Sequence, residues 1–291
     1  MDVHLVDGTY ELFRHHFAVP SQSDPSGMEI AATRGVVGSV LTMLEGGATH
    51  VGVATDHVVE SFRNDLWPGY KTSAGMDPEL LAQFPVLEDA LTALGVSVWP
   101  MVDLEADDAL ATSAAVGAAD DRVRQAIICT PDKDLSQCVI GDRVVQLDRR
   151  SGKVRNHAGV SEKFGVAPES IPDWLGLVGD TADGFPGLAG WGAKSAATVL
   201  AHYLHIEAIP PLAKDWRVAV RGAVKLATTL AANRADADLF KLLATLRLDA
   251  DVGTVDDWRW TGPDAGFEEW GERLGARGIV TRARKLAESR S

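Results

Sequence analysis

The run PMVDLEADDALATSAA, residues 100–115, places acidic side chains where an apolar helix is about to begin. Glu105, Asp107 and Asp108 follow one another closely, and Asp103 stands just before them. Carboxylates this close together raise one another's pKa and oppose folding unless a positive charge lies among them. The run therefore predicts a helix whose first turn is prepared for a cation.

The same junction between an apolar run and an acid recurs along the first half of the chain. VHLV precedes Asp7, THVGVAT precedes Asp56, and AIICTP precedes Asp132. The helical patterns between these runs cover residues 32–44, 78–95 and 107–119. Alternating strands and helices predict a mostly parallel sheet flanked by helices, with the ligand beyond the carboxyl ends of the strands. The acids stand at those ends.

The second half of the chain is different, because after about residue 160 the apolar spacing is helical. The polar stretch DRRSGKVRNH, residues 148–157, marks the expected boundary between an α/β core over residues 1–157 and a helical region over residues 158–291. GLAGWGAKSAATVL, residues 187–200, predicts a helix-hairpin-helix. Its glycines allow a tight turn, and the N–H groups that open the following helix can bind a phosphate. A plain helix connection is the alternative.

The composition, 46% hydrophobic and 24% charged over 291 residues, is typical of a soluble globular protein with one large or two modest domains. No apolar run reaches about 18 residues and no leader opens the chain, so we expect no membrane partner, no secretory signal and a cytoplasmic location. Cys129 and Cys138 fit neither a disulfide framework nor a zinc site.

Nine acids in five groups are the candidate ligands of a metal site. They are Asp7; Asp56; Glu105, Asp107 and Asp108; Asp132 and Asp134; Asp180 and Asp183. A single Asp after a strand is more often a helix cap or a turn residue. Five such groups instead favour a hard cation, Mg²⁺ or Mn²⁺, since every ligand is an oxygen. Zinc and the EF-hand pattern for calcium are not favoured.

The motifs LVDG, SFRNDLWPGYK, LEADDALA, TPDKDLSQ and GDTADGFPGLAGWGAKSA, in this order, resemble the bacterial 5′ nucleases. That family comprises the 5′-to-3′ exonuclease domain of DNA polymerase I, the phage exonucleases and the flap endonucleases. The resemblance runs from residue 5 to about 200; DLFKLLATLRLD, residues 238–249, is similar to the family's closing helical segment, and little follows beyond about 250. It implies a PIN-like nuclease core with a helical arch at about residues 69–100, and a helix-3-turn-helix that binds DNA.

The resemblance also implies roles for the acids and for two cations. Two or more divalent ions, in two groups, would perform two-metal hydrolysis of a phosphodiester with neighbouring ions about 3.5 to 4 Å apart. Arg63 and Lys71 match the family's basic pair at the phosphate, and with Asp7 and Asp108 they form the expected catalytic set. The first ion group would use Asp7, Asp56, Glu105, Asp107 and Asp108; the second would use Asp132, Asp134, Asp180 and Asp183, with Asp132 serving both.

Contacts with DNA follow from the resemblance as well. Phe13 matches an aromatic that stacks on a terminal base, although a core position suits it equally. Gly190, Gly192, Lys194 and Ser195 would bind duplex phosphates. A potassium ion would be held by the backbone near Leu188, Gly190 and Gly192.

The arch departs from the family pattern, because no Lys or Arg occurs between Lys71 and Arg122. We therefore expect a weak hold on a threaded single strand and an affinity that rests on the duplex. The net charge of -13 does not exclude DNA, since without the nine acids the formal charge is -4.

The sequence thus predicts a structure-specific 5′ nuclease, both exonuclease and flap endonuclease, in DNA replication and repair. It is expected to act as a nucleoid-associated bacterial monomer on flaps, nicks and 5′ ends, with a separate DNA polymerase as candidate partner. Two alternatives are a catalytically weak member that binds branched DNA and a PIN-type ribonuclease. A haloacid phosphatase would need an acid pair of the form DxD, whereas LVDGTY offers Asp7 and then Thr9.

Overall fold

The computed structural model describes residues 1–290, which form two compact units. The first unit contains residues 1–59, residues 73–130 and the segment from Leu248 onward. The second contains Glu60–Thr72 and Pro131–Arg247. The boundary predicted after residue 157 falls inside the second unit and stays a prediction. The units are built from segments that are distant in sequence, so chain order alone does not define them.

Strands and helices alternate along the first part of the chain, and helices dominate the rest. The strands are β1 (Asp2–Asp7), β2 (His50–Asp56), β3 (Ser97–Met101), β4 (Gln125–Cys129), β5 (Val144–Asp148) and β6 (Lys153–Arg155). The helices are α1 (Gly8–His16), α2 (Ala31–Glu45), α3 (Phe62–Leu66), α4 (Pro78–Leu81), α5 (Gln83–Ala93), α6 (Ala106–Ala119), α7 (His157–Phe164), α8 (Ile171–Val178), α9 (Ala193–Tyr203), α10 (Ala223–Ala232), α11 (Arg234–Ala244), α12 (Phe267–Arg273) and α13 (Arg277–Arg290).

The first unit contains four parallel strands in the order β3-β2-β1-β4. Val6 of β1 pairs with Val53 of β2 on one side and with Cys129 of β4 on the other. Four of the six residues of β1 and six of the seven residues of β2 are buried, as expected when helices cover both faces of a parallel sheet. The predicted parallel sheet is confirmed, and the carboxyl ends of its strands share one edge.

The helices of the first unit follow the predicted patterns closely, with one interruption. The patterns at residues 32–44 and 107–119 correspond to α2 and α6. The pattern at residues 78–95 divides at Ala82 into α4 and α5. The segment beyond Leu248 completes this unit, because Trp258 packs edge-on against Trp99 and the Trp260 N–H donates to the Thr49 carbonyl at 2.9 Å.

The second unit is helical apart from an antiparallel hairpin of β5 and β6, which overlaps the predicted polar stretch at residues 148–157. Helix α8 packs along α11 over a core that includes Trp174, Phe185 and Phe240. Helix α11 ends at Ala244, so the segment 238–249 is helical only in its first part. Among residues 1–290, no helix combines the length and apolarity needed to cross a bilayer.

Candidate active site

Asp7 and Asp56 lie at the carboxyl ends of β1 and β2 in the first unit. Asp7 is the N-cap of α1, where its Oδ1 accepts the Tyr10 N–H at 2.8 Å and its Oδ2 accepts the Thr130 hydroxyl at 2.8 Å. The Asp56 Oδ1 accepts the N–H of Ala106, the first residue of α6, at 2.7 Å. Both carboxylates are therefore oriented by backbone N–H groups at helix starts, where negative charge is stabilised.

The acids of LEADDA surround the start of α6. Glu105 is the N-cap, and its N–H donates to the Asp108 Oδ2 at 3.0 Å. Glu105 and Asp108 are buried, whereas Asp107 is half-buried, as their different directions around a helical turn require. The hydrogen bond of Asp56 to Ala106 joins this group to the end of β2, so the structure brings these predicted site acids to one edge.

The second unit contains a tighter cluster of carboxylates. Asp134, Asp180 and Asp183 each offer an oxygen, and these oxygens all lie within 4.8 Å of one another. Asp134 begins the 3-10 turn after Asp132, and its N–H donates to the Asp132 Oδ1 at 3.0 Å. The four acids predicted to form the second ion group thus come from two loops of one unit.

A turn at Gly184 connects this cluster to the SFRNDLWPGYK segment. Gly184 has φ of +84°, and a Cβ there would lie 2.0 Å from the Gly69 carbonyl oxygen, so only glycine fits. The Gly184 carbonyl accepts the Trp67 indole N–H at 3.0 Å, and the Lys71 N–H donates to the Asp183 carbonyl at 3.0 Å. These bonds hold the Lys71 side chain beside the acids.

Two lysines form ion pairs with acids of the cluster and offset part of its negative charge. The Lys71 Nζ lies 3.1 Å from the Asp183 Oδ1, and the Lys133 Nζ forms an ion pair with Asp180 and lies 3.9 Å from the Asp134 Oδ1. Burial opposes the charge of Lys133, but the carboxylates, with Asp134 first, raise its pKa above the ordinary value. Lys71 was a predicted site residue; Lys133 belongs to the TPDKDLSQ motif, but no role was predicted for it.

The surroundings of Asp134 indicate whether the cluster is suited to a metal ion. Burial, followed by repulsion from Asp132 and Asp183, raises the pKa of Asp134 well above its ordinary value. Its Oδ1 is buried and has no hydrogen-bond donor. A buried carboxylate oxygen without a donor, surrounded by other carboxylates, fits a hard divalent cation bound by oxygen ligands.

A second group of acidic residues in this unit differs from the cluster because its carboxylates all have hydrogen-bond partners. Asp173, His205 and Glu207 also come together, but the Lys241 Nζ lies 2.8 Å from the Asp173 Oδ1 and 2.9 Å from Glu207. The other Asp173 oxygen accepts from the His205 ring at 2.9 Å. This group is a satisfied ion-pair network that ties α8 to α11.

Arg63 does not occupy the position predicted for it. Its side chain is 0% exposed, and it donates to the carbonyls of Leu243 at 2.8 Å and Thr245 at 3.2 Å. The guanidinium therefore closes the carboxyl end of α11 and presents no cation at the surface, contrary to the expected phosphate contact. The motif SFRNDLWPGYK could not reveal the burial of Arg63.

Phe13, the predicted stacking residue, is half-buried and packs edge-on against Phe84 at 6.4 Å between ring centroids. Phe17, one helical turn later at the end of α1, is 76% exposed and was not among the predicted residues. Because the Phe17 ring is so exposed, it is better suited to base stacking than the Phe13 ring. No sequence pattern described above indicated Phe17.

The predicted hairpin ends where α9 begins. Gly190 has φ of +85°, as a tight turn requires, and the Gly192 N–H donates to the Ser195 Oγ at 3.1 Å. Lys194 and Ser195 line an open cavity of about 590 Å³ together with Arg221, a cation that the sequence motifs did not reveal. The carbonyls of Leu188 and Gly192, two of the predicted potassium ligands, accept N–H groups of Trp191 and Ala196 at 3.0 Å. Trp174 and Trp191 are buried core residues.

Charge is distributed unevenly between the two units. The first has 26 Asp and Glu against 11 Lys and Arg, whereas the second has 15 against 17. The net charge of -13 thus comes from the first unit. The second, which contains the hairpin, has two more basic than acidic residues.

The first unit has a parallel sheet with acids at its carboxyl ends, and the second has an acid cluster beside two lysines and a turn that opens α9. Two family models match this chain: the 5′-3′ exonuclease N-terminal resolvase-like domain over residues 2–165, and the 5′-3′ exonuclease C-terminal SAM fold over residues 166–266. The chain belongs to the 5′-3′ exonuclease family.

Relatives and solved structures agree with this assignment. DNA polymerase I of Pseudomonas aeruginosa is 32% identical over 268 residues, which cover 89% of this chain and 28% of the polymerase. The 5′-3′ exonuclease of Aquifex aeolicus is 29% identical over 265 residues, 90% of this chain and 88% of the relative. A bacteriophage T5 flap endonuclease, solved with DNA and metal ions, has the same fold with a TM-score of 0.66 at 18% identity, covering 99% of this chain and 98% of the other. The chain thus spans less than a third of the polymerase that it matches.

Proposed function

We propose that this chain is a structure-specific 5′ nuclease that cleaves DNA at flaps, nicks and 5′ ends with bound divalent ions. The observation that carries the proposal is the cluster of Asp134, Asp180 and Asp183, with ligand oxygens within 4.8 Å and a buried Asp134 oxygen without a donor. Membership of the 5′-3′ exonuclease family gives this cluster its substrate class.

The expected ions are Mg²⁺ or Mn²⁺, because the ligands are carboxylate oxygens. Asp7, Asp56, Glu105, Asp107 and Asp108 would hold ions of the first unit, and Asp132, Asp134, Asp180 and Asp183 those of the second. When bound, such ions lower the pKa of a coordinated water and stabilise the charge of the leaving oxygen.

The chain's own cations have separate tasks. The Lys71 ammonium, held beside Asp183, would contact a nonbridging phosphate oxygen and stabilise the charge that develops there. Lys133 keeps Asp180 and Asp134 paired until metal binds. Lys194, Ser195 and Arg221, around the hairpin cavity, would bind duplex phosphates without reading sequence.

Several finer expectations belong to the same proposal. A potassium ion at the carbonyls of Leu188, Gly190 and Gly192 would strengthen duplex binding, and replacing K⁺ by Li⁺ at constant ionic strength should then weaken it. The protein would act as a monomer in the bacterial cytoplasm, at the nucleoid, alongside a DNA polymerase. Phe17 rather than Phe13 would stack on an unpaired base.

The test is cleavage of a 5′-labelled flap, a nicked duplex and a blunt duplex in Mg²⁺ or Mn²⁺. Asp108→Asn and Asp134→Asn should each lose at least about 10²-fold in rate, as expected when a preorganised charge is removed. Asp238→Asn, an exposed acid paired with Arg234, is the matched control and should cleave like the wild type. If a gel-shift assay shows that the wild type binds the flap but none of the DNAs is cleaved, the protein is a branched-DNA-binding member. If an RNA strand of the same sequence is cleaved and no DNA is, it is a PIN-type ribonuclease.

A further inference from the structure

The loop that carries Asp132 and Asp134 is held through its backbone by two glutamines. The Gln146 Nε2 donates to the Asp132 carbonyl at 2.6 Å, and the Gln137 Nε2 donates to the Asp134 carbonyl at 2.8 Å. Gln137 also donates to the Ala244 carbonyl at 2.9 Å and accepts the Leu246 N–H at 3.0 Å. The backbone carbonyl oxygens of Asp132 and Asp134 therefore each accept a hydrogen bond from a glutamine amide. Gln146 lies outside the 3-10 turn that Asp134 begins, and Gln137 lies near the end of that turn.

Gln146 lies on β5 and is 1% exposed. Its Oε1 accepts the Ser136 hydroxyl at 2.7 Å and the Arg155 Nη1 at 3.0 Å. The amide has one possible orientation, because a guanidinium offers donors alone and a backbone carbonyl is an acceptor alone. Arg155 thus turns the Gln146 oxygen toward itself and the Gln146 NH₂ toward Asp132.

These hydrogen bonds matter because the carboxylates of the loop and of its surroundings repel one another. An Asp134 carboxylate oxygen lies within 4.8 Å of oxygens of Asp180 and Asp183, and the buried Asp134 Oδ1 has no hydrogen-bond donor. Lys71 and Lys133 offset only two of the four carboxylate charges. The remaining repulsion favours outward movement of the loop when no metal ion is bound. A buried bond to the backbone opposes that movement without adding charge, so the ligand positions persist between binding events.

We propose that Gln146 is a positioning residue for metal binding, which holds the Asp132–Asp134 loop in its ligand geometry through the Asp132 carbonyl. The inference rests on the proposed function. Outer-shell hydrogen bonds of this kind commonly contribute 10- to 100-fold to metal affinity. Gln146 makes no contact with substrate in this role, and Arg155 acts through it.

Gln146→Glu tests the proposal with a nearly isosteric change. The new carboxylate keeps acceptors for Arg155 and Ser136 but sets an oxygen against the Asp132 carbonyl in place of a donor. We expect Mn²⁺ affinity, measured without DNA by electron paramagnetic resonance of free Mn²⁺, to weaken by about 10- to 100-fold. The Mn²⁺ midpoint of flap cleavage should shift by the same factor, while kcat at saturating Mn²⁺ changes by less than about threefold.

Two matched variants separate positioning from general loss of structure. Gln83 is also a fully buried glutamine, which accepts the Thr33 N–H at 3.0 Å and donates to the Glu79 carbonyl at 3.3 Å, and it holds no ligand loop. Gln83→Glu should lower Tm and leave Mn²⁺ affinity unchanged. Ser136→Ala removes one bond to Gln146 and keeps the Asp132 contact, so we expect less than about a threefold loss of affinity.

The outcomes distinguish the two proposals. Wild-type Mn²⁺ affinity in Gln146→Glu, or an equal loss in Gln83→Glu, overturns the positioning role and leaves the nuclease proposal standing if the wild type cleaves. A wild type that neither binds Mn²⁺ nor cleaves any DNA overturns both.

Discussion

The two carboxylate groups of this protein contain the same type of ligand but are stabilised in different ways. In the first unit, Asp7, Asp56 and Asp108 accept backbone N–H groups at the starts of helices. In the second unit, Asp180 and Asp183 pair with lysines, and the Asp134 Oδ1 has no donor. Asp132 and Asp180 of the second group also accept backbone N–H groups. The second group differs in its lysine partners and in the buried Asp134 oxygen without a donor.

The difference has a thermodynamic consequence. A carboxylate that caps a helix contributes to folding whether or not metal is bound. A crowded, buried carboxylate opposes folding until a cation neutralises it. Helix caps therefore stabilise the acids of the first unit without an ion, whereas the stability of the lysine-paired cluster in the second unit would depend on the proposed ion.

The largest expected effect concerns Lys71, the cation beside Asp183. Lys71→Met should lower kcat for flap cleavage by about 10²-fold, because a charge placed at the phosphate is lost. Mn²⁺ affinity should stay the same or rise, since the ammonium no longer competes for Asp183. Lys225→Met, an exposed lysine of α10, is the control for charge alone. A loss of Mn²⁺ affinity in Lys71→Met would instead make Lys71 part of the metal-binding structure.

Asp134→Asn should reverse its effect on stability when metal is added. In EDTA the variant should be more stable than the wild type, by on the order of 1 kcal/mol, because a crowded buried charge is removed. With Mn²⁺ at about 100 times Kd, the wild type should gain about 2.7 kcal/mol that the variant largely lacks. Thermal unfolding in the two buffers measures the stability difference in EDTA and the stabilisation by Mn²⁺. If Asp134→Asn is less stable than the wild type in EDTA, the Asp134 carboxylate does not destabilise the metal-free protein.

Asp7→Ala should behave in the opposite way. Loss of the α1 cap and of the Thr130 hydrogen bond should reduce stability by about 1 to 2 kcal/mol already in EDTA. The loss should be larger in Mn²⁺, because Asp7 is also a proposed ion ligand. Asp7→Asn keeps an acceptor for Tyr10 and should retain most of the stability while still losing cleavage. Equal stability of Asp7→Ala and the wild type in urea unfolding would show that this acid is not anchored by its cap.

The smallest expected effect is a pH dependence of stability that comes from His50, the first residue of β2, at the end of the strand remote from Asp56. Burial, and then the charge of Arg259, lower the pKa of His50, so the folded state binds a proton less readily than the unfolded state. Its contribution to stability is present above about pH 6.5 and is lost as the pH falls below it. We expect Tm to fall by about 1 to 2 °C between pH 7 and pH 5.5, equally with and without Mn²⁺, and the fall to vanish in His50→Gln.

The sequence predicted those parts of the site that depend on local order. Strands that end in acids imply a shared edge in a parallel sheet, and Asp7 and Asp56 occupy that edge. LEADDA predicted a helix start with two acids on one face, as found for Glu105 and Asp108. The family resemblance identified the second cluster, because its motifs keep their order along the chain.

Tertiary contacts decided the roles that local patterns cannot encode. Arg63 looks like a surface cation in SFRNDLWPGYK, but it is buried against carbonyls 180 and 182 positions away in the chain. Gln146 has no motif of its own and gains its role from the Asp132 carbonyl and from Arg155. The segment beyond residue 250 offered little signal, yet it packs on the first unit through Trp258 and Trp260.

The sequence by itself therefore determined the fold class, the family and the inventory of acids, since strand and helix periodicity and closely spaced ligands are properties of neighbouring residues. The tertiary structure alone decided which acids are capped, which are paired with lysine, and which cations are buried. Those properties depend on the dielectric surroundings and on partners from distant segments, and a linear pattern contains neither.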